Sequence, residues 1–349
     1  MQLHIVTGFL GSGKTTAIKG ATIALLKENI PVAVITNDQG TRLVDGDLFQ
    51  ALGIRGKQVG GGCFCCNYNE LDKSIRELVE GEAATVLFAE AVGSCTDIIA
   101  TVLKPLQKFH PEITVTVSTF TDVRLLRMML EGNHSFDESV AYIYLKQLEE
   151  AEIIVINKTD LVNSGFAADV KKILHERFPG KQILFQQSLR DEDILQWINV
   201  LDNYQRNGVT PSLDVDYDVY AEGEAKMTWY DQQLEVYAQD NDAPQIAQDI
   251  INSIYAEIAR LKVPTGHVKF LVNETTKVSF TGNNEEPVKL ELRPASNSTL
   301  LINIRVQETP TVIEDMVEEV LERFRHKCNI QSTKAEAFSP GYPRPVFRM

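Results

Sequence analysis

Gly8-Phe9-Leu10-Gly11-Ser12-Gly13-Lys14-Thr15 follows directly on the apolar run at 2–7, and its reading decides the fold. Gly8 and Gly13 allow backbone conformations and close approaches that side chains block, so successive amides can turn inward around a phosphate. Lys14 brings positive charge to the outer phosphates, and the Thr15 hydroxyl suits Mg²⁺. Gly11, Ser12 and Thr16 complete the cradle, where the following helix presents its amino terminus to an anion. An apolar strand, this loop and then a helix are the parts of a P-loop.

Outward from the loop, the first half alternates short β-branched runs with helical stretches. Strands are expected at 2–7, 32–36, 85–89, 113–117, 153–156 and 182–185, and helices at 15–28, 69–80, 97–109, 122–130, 138–149, 167–177 and 191–198. This is the α/β pattern of a doubly wound, mostly parallel sheet of P-loop NTPase type. After about Val200 the chain passes through Asn203-Tyr204-Gln205-Arg206-Asn207-Gly208 to Pro211 and the acidic stretch 214–218, which reads as a boundary. Beyond it strands are expected at 225–238, 267–272, 276–280, 288–292 and 300–306, with helices at 243–261 and 311–325. They form a second, smaller α+β domain with helices on one face of an antiparallel sheet. The expected division is 1–205, 206–330 and an irregular, proline-containing tail at 331–349.

A chain of 349 residues is comfortable for two cores. A formal charge of −14 repels both a phosphate backbone and an anionic bilayer, arguing against nucleic acid and membrane partners. No apolar run approaches the roughly 18 residues of a membrane span, and the first residues lack a basic region before an apolar one. A cytoplasmic protein is expected. Three of the five cysteines, Cys63, Cys65 and Cys66, are crowded together, which in a reducing compartment favours metal or thiol chemistry over a disulfide framework.

Two further stretches follow apolar strands, where doubly wound sheets place their ligand loops. Asn157-Lys158-Thr159-Asp160 comes after 153–156. The Asp160 carboxylate can accept both the ring N–H and the exocyclic amine of guanine, a donor pair that adenine lacks. Asn157 would brace the base and neighbouring loops, and the stem of Lys158 would cover the ring face. Glu90 ends the strand 85–89 and precedes Ala91-Val92-Gly93; it could hold Mg²⁺ or orient an attacking water, with the Gly93 amide near the terminal phosphate. Asn37, Asp38 and Asp45 lie in a glycine-containing loop that could switch with the nucleotide, although Asn, Asp and Gly are also ordinary turn formers.

Gly60-Gly61-Gly62-Cys63-Phe64-Cys65-Cys66-Asn67 joins a compliant glycine run to three soft ligands. Thiolates at this density suit Zn²⁺, with Co²⁺, Ni²⁺, Fe²⁺ or Cu⁺ open by ligand type; a redox thiol group and chemically inert buried cysteines are the alternatives. Three sulfurs leave a tetrahedral site one ligand short, to be filled by water, a histidine or a partner. Cys65 and Cys66 are adjacent, so both can bind only from a loop or a helix start. Cys95 and Cys328 read as core residues, as do Trp197 and Trp229, and His267 reads as structural.

The combination of the Gly-Phe-Leu-Gly-Ser-Gly-Lys-Thr-Thr loop, the Gly-Gly-Cys-x-Cys-Cys run, Glu-x-x-Gly and Asn-Lys-Thr-Asp resembles the CobW-like GTPases, relatives of the urease and hydrogenase nickel accessory GTPases. The resemblance covers about residues 1–200. It implies a GTP-hydrolysing domain in which Cys63, Cys65 and Cys66 bind a transition metal, Zn²⁺ or Co²⁺ foremost, whose affinity follows the nucleotide. Lys14 and Thr15 would be phosphate and Mg²⁺ contacts, Glu90 the Mg²⁺ or water-orienting acid, and Asn157, Lys158 and Asp160 guanine contacts. The metal would pass to a client metalloprotein or cofactor-assembly protein, and a homodimer is one candidate assembly. No arginine lies in these motifs, so hydrolysis is expected to be slow without a partner. The chain departs from the family in having Asn37-Asp38-Gln39-Gly40 where Asn-Glu-Phe-Gly is common, and in lacking a His-rich stretch. Two other readings are a chaperone GTPase gating a cobalamin-dependent enzyme, with structural cysteines, and a small-molecule P-loop kinase, against which Asn157–Asp160 argues.

Overall fold

The computed structural model describes residues 1–349 except 41–43, 82, 207, 209 and 283–285, so Asn207 of the expected boundary lies outside the described residues. The strands of the first sheet are β1 (Gln2–Thr7), β2 (Val32–Asn37), β3 (Gly56–Val59), β4 (Val86–Glu90), β5 (Thr114–Asp122), β6 (Ile153–Asn157) and β7 (Gln182–Phe185). All neighbours pair in parallel, in the order β3-β2-β4-β1-β5-β6-β7. Their near-continuous apolar runs follow from burial on both faces, since β2, β4 and β6 are buried throughout. The helices up to the second sheet are α1 (Lys14–Lys27), α2 (Val44–Ala51), α3 (Tyr68–Arg76), α4 (Lys104–Phe109), α5 (Val123–Glu131), α6 (Glu138–Glu150), α7 (Ser164–Arg177), α8 (Asp191–Asn203) and α9 (Tyr217–Ala225). The expected helix at 69–80 ends in a wide π turn at Glu77–Gly81, and the one at 97–109 is a π turn at Ile99–Leu103 followed by α4.

The second sheet contains β8 (Thr228–Tyr237), β9 (Thr265–Val272), β10 (Thr276–Phe280), β11 (Asn297–Val306), β12 (Asn329–Ser332) and β13 (Glu336–Phe338), with α10 (Ala243–Leu261) and α11 (Pro310–Glu322). Its strands pair antiparallel. Strict alternation puts Leu234, Val236, Val268, Phe270, Ile302 and Ile304 on the face that packs with α10 and α11 in one core. On the opposite face, Leu271 and Leu301 pack with Val44 of α2. Arg305 is fully buried there, with Nη1 2.8 Å from Asp231 Oδ1 and its guanidinium 4.3 Å over the Trp229 ring.

The compact units differ from the expected division. One consists of Met1–Asp38, Ile54–Gly223 and Pro343–Met349; the other of Gln39–Gly53 and Glu224–Tyr342. The reason for the first exchange is ionic as well as apolar: Asp45 on α2 lies 2.6 Å from the ammonium groups of both Lys269 and Lys277. Asp45, a candidate switch residue by sequence, is thus committed to the second unit. The expected strand at 288–292 does not form. Side chains of α10 bind its backbone in place of a neighbouring strand: Val288 N–H donates to Asn252 Oδ1 at 2.9 Å and Leu290 N–H to Gln248 Oε1 at 2.5 Å. The acidic stretch near 214–218 leads into α9, and the tail carries β12 and β13 rather than lacking regular structure.

Candidate functional site

The loop between β1 and α1 has left-handed backbone at Gly8 (φ 121°) and Gly13 (φ 93°), and both positions are crowded. A Cβ at Gly8 would lie 2.0 Å from the Phe120 carbonyl oxygen, and one at Gly13 would lie 2.2 Å from Asn157 Nδ2. No side chain caps the amino end of α1, so its first N–H groups are available to an anion, with the helix dipole adding to the attraction. Among the described residues, the buried Ser12 hydroxyl has no hydrogen-bond partner. Lys14 Nζ donates back to the carbonyls of Gly8 at 2.7 Å and Phe9 at 3.3 Å, which keeps its charge over the loop. Thr15 Oγ1 donates to Glu90 Oε1 at 2.8 Å, both side chains being buried. A hydroxyl and a carboxylate meeting at a phosphate-type loop form the hard-oxygen donor set that Mg²⁺ takes.

Asn157, at the carboxyl end of β6, ties this loop to a second one. Its Nδ2 donates to Ser12 O at 2.9 Å, and its Oδ1 accepts from Ser188 N–H at 3.0 Å and Ser188 Oγ at 2.9 Å. Lys158 is left-handed at φ 61°, and its ammonium lies 3.1 Å from Asp122 Oδ2. Burial alone would raise the Asp122 pKa, but Arg124 and Lys158 outweigh it and hold the carboxyl below its usual range. Asp160 is exposed on the short turn Thr159–Leu161, with its carboxylate open to solvent.

Cys63, Cys65 and Cys66 lie on a turn that runs into α3. Their Sγ atoms are 2.7 Å (Cys63–Cys65), 3.5 Å (Cys63–Cys66) and 3.8 Å (Cys65–Cys66) apart. The two longer separations are close to the roughly 3.8 Å edge of a tetrahedron with Zn–S bonds of about 2.3 Å. Contacts with Cys65, Cys66 and Cys95 hold the Cys63 thiol well below its ordinary pKa, while Cys66 is pushed up to about 11 chiefly by Cys63. Asn37, at the end of β2, secures the turn: its Oδ1 accepts from Phe64 N–H at 2.8 Å, and its Nδ2 donates to Val59 O at 2.8 Å and Gly62 O at 2.7 Å. In the register of β2 with β4, Thr36 stands opposite Glu90, so β2, whose Asn37 secures the thiol turn, lies between β3, which the turn follows, and β4, which ends in Glu90. Residues 2–185 match the family description "CobW/HypB/UreG, nucleotide-binding domain". The chain belongs to the CobW/HypB/UreG family.

Among curated proteins, this CobW/HypB/UreG chain is similar to the zinc chaperone YeiR of Escherichia coli K12, with 30% identity over 162 residues, 46% of this chain and 47% of YeiR. It is 28% identical over 187 residues to the E. coli zinc chaperone YjiA, covering 51% of this chain and 53% of YjiA. It is 24% identical over 208 residues to the zinc chaperone CobW of Sinorhizobium, covering 52% and 57% respectively. The chain therefore spans about half the length of the curated relatives it matches. Nickel-bound HypB from Helicobacter pylori aligns with a TM-score of 0.45 at 18% identity, over 59% of this chain and 90% of HypB. Among the described residues, no helix is long and apolar enough to cross a membrane.

Three parts of the site in this family member escaped sequence reading. Ser188 belongs to a Gln-Gln-Ser stretch after β7, and its position at a strand's carboxyl end was the only signal. Cys95 is buried as expected, yet it is not an isolated core thiol, because its side chain hydrogen-bonds with those of Cys63 and Cys65. The segment Pro343–Met349 lies across the thiol turn. Val346 N–H donates to Cys65 O at 2.9 Å, Arg344 N–H to Cys66 Sγ at 3.3 Å and Arg348 Nε to Asp97 Oδ2 at 2.8 Å. Phe347 stacks edge-on with Tyr68, ring centroids 5.1 Å apart, and lies 5.2 Å from the Phe109 ring.

Proposed function

We propose that the chain is a GTP-binding and GTP-hydrolysing metallochaperone that carries Zn²⁺ or Co²⁺ on Cys63, Cys65 and Cys66 to a client metalloprotein or cofactor-assembly protein in the cytoplasm. The observation that carries this reading is the thiol group held by Asn37 of β2, the strand that pairs with the one ending in Glu90. Family membership and the zinc chaperone names of YeiR and YjiA support it.

In this reading Gly8, Gly11, Ser12, Gly13, Lys14 and Thr16 cradle the phosphates, with Lys14 swinging from the Gly8 and Phe9 carbonyls to the outer phosphate oxygens. Thr15 and Glu90 hold Mg²⁺, which when bound neutralises phosphate charge. Glu90 also orients the attacking water. Asp160 reads the guanine edge, Asn157 keeps the two loops in register, and Asp122 anchors the Lys158 ammonium so that its stem can cover the base. Nucleotide binding tightens the strand ends and closes the thiol turn on its metal; hydrolysis loosens it, slowly until a partner or second copy adds charge. The glycine run 60–62 provides compliance for two states.

Equilibrium titration with Zn²⁺, Co²⁺, Ni²⁺ and Fe²⁺ under reducing conditions, with and without GTP and Mg²⁺, tests the reading. Tighter Zn²⁺ or Co²⁺ binding with nucleotide is expected, and the serine triple variant at 63, 65 and 66 loses it. GTP binding without measurable Zn²⁺ or Co²⁺ affinity would overturn the metallochaperone assignment. Unaltered client activation by the triple variant would leave a chaperone GTPase with structural cysteines.

A further inference from the structure

We propose that Cys95 is a fourth thiolate ligand to the metal held by Cys63, Cys65 and Cys66, and that the loop carrying it transmits nucleotide state to the coordination sphere. The inference rests on the metal-binding reading above and names the ligand that reading leaves open.

Three thiolates satisfy three of the four positions of tetrahedral Zn²⁺. The Cys95 side chain is buried and touches Cys63 and Cys65 from a part of the chain remote from their turn. It is held there by its own backbone: Cys95 N–H donates to Val92 O at 3.1 Å, and Cys95 O accepts from Gln147 Nε2 at 2.8 Å. The same Gln147 amide donates to Gly93 O at 3.0 Å, so α6 fixes both ends of the turn. Cys63, Cys65 and Cys66 form the set whose sulfurs lie within 4.8 Å of one another, and Cys95 reaches two of them from outside that set, so it joins the coordination sphere when its loop closes on the turn.

The second half of the inference follows from where that loop begins. It leaves β4 at Glu90, which accepts from Thr15 of the phosphate loop. Three residues on, Gly93 packs so closely on Leu10 that a Cβ there would lie 2.7 Å from the Leu10 side chain and 2.9 Å from its backbone N. Glu90, Gly93 and Cys95 therefore form a short, braced path from the loop that receives phosphate to the sulfur that completes the site. A closed four-thiolate site retains metal, whereas withdrawal of one thiolate opens the position through which a recipient can take it. The nucleotide-loaded state is the four-thiolate one, and loss of the terminal phosphate releases Cys95.

The test uses the full chain under reducing conditions with a non-hydrolysable GTP analogue and Mg²⁺. Zinc K-edge absorption on the unaltered protein is expected to show about four sulfur neighbours near 2.3 Å. With Co²⁺ as the probe, Cys95→Ser should lose about one quarter of the thiolate-to-cobalt intensity per bound ion, as Cys66→Ser does. In the unaltered chain the spectrum should change when GDP replaces the analogue, and in Cys95→Ser it should not. Three sulfurs plus one oxygen or nitrogen neighbour in the unaltered protein, or a Cys95→Ser spectrum superimposable on the original, would overturn the Cys95 assignment while leaving metal binding intact. A nucleotide-independent four-sulfur spectrum would overturn the coupling alone. No bound zinc or cobalt in the unaltered chain would overturn the metal reading itself.

Discussion

Replacing Asn157 by Ala tests whether one buried amide holds the phosphate loop and the 186–188 loop together. The substitution deletes hydrogen bonds of 2.9 Å to Ser12 O, 3.0 Å from Ser188 N–H and 2.9 Å from Ser188 Oγ. Ser188 Oγ keeps its bond from Gln186 Nε2 at 2.8 Å, so the loss falls on the other two groups, the Ser12 carbonyl and the Ser188 N–H. Each buried group left unpaired costs about 1–3 kcal/mol, giving about 2–4 kcal/mol together once some water enters the space. For a compact unit of this size that lowers Tm by about 5–10 °C, read from thermal unfolding by circular dichroism. Binding of a fluorescent GTP analogue should weaken about tenfold or more, because the nucleotide must then reorder both loops. Asn157→Asp separates the donor from the acceptor role: it keeps an acceptor for Ser188 but sets a carboxylate oxygen against the Ser12 carbonyl. It should be at least as damaging as Ala. A Tm within about 1 °C of the original together with unchanged affinity, or an Asp variant that behaves like the parent, would refute the reasoning.

Burial, offset only in part by bonds from Thr96 and Ile99, pushes Glu150 from 4.5 up to about 8. The native state therefore keeps a proton that the unfolded chain has released, so the stabilisation is complete below pH 4.5 and is lost as pH rises through about 8. Glu150→Gln should remove that slope and gain on the order of 3 kcal/mol at pH 8–9; denaturation curves at pH 5, 7 and 9 that stay parallel to the parent's would count against it. Burial would raise the Asp45 pKa, but Lys269 and Lys277 outweigh it and hold the carboxyl well below 3.8. Its contribution is thus present above that pH and lost on acidification, and Asp45→Ala should destabilise the second unit by about 3 kcal/mol in urea by leaving two largely buried lysines without their carboxylate. Deleting 343–349 removes the Arg344 N–H donated to Cys66 Sγ and the Phe347 packing, so Cys66 should react severalfold faster with a disulfide reagent; an unchanged rate would show that this segment does not shield the turn.

The motifs were legible because each chemistry needs neighbouring residues. The glycines, Lys14 and Thr15 bend one short loop, Asn157–Asp160 is one strand end, and the sulfurs of Cys63, Cys65 and Cys66 meet on one turn. Apolar runs buried on both faces also made the parallel sheet readable, and alternation did the same for most of the second sheet. Local signals failed at 288–292, where β-like alternation is present but amide side chains of α10 take the backbone hydrogen bonds a neighbouring strand would need.

By itself the sequence determined a phosphate-binding α/β domain with a guanine-type loop, a three-thiol turn and an α+β region after it. Only the tertiary structure decided that 39–53 joins the second unit, that 343–349 returns to the first, that Asn157 bridges Ser12 and Ser188, and that Cys95 reaches the thiol group. The physical reason is the range of the interactions. A motif records what the backbone does over a few residues, whereas an ion pair, an amide bridge or a sulfur contact records which strand ends the sheet order brings side by side.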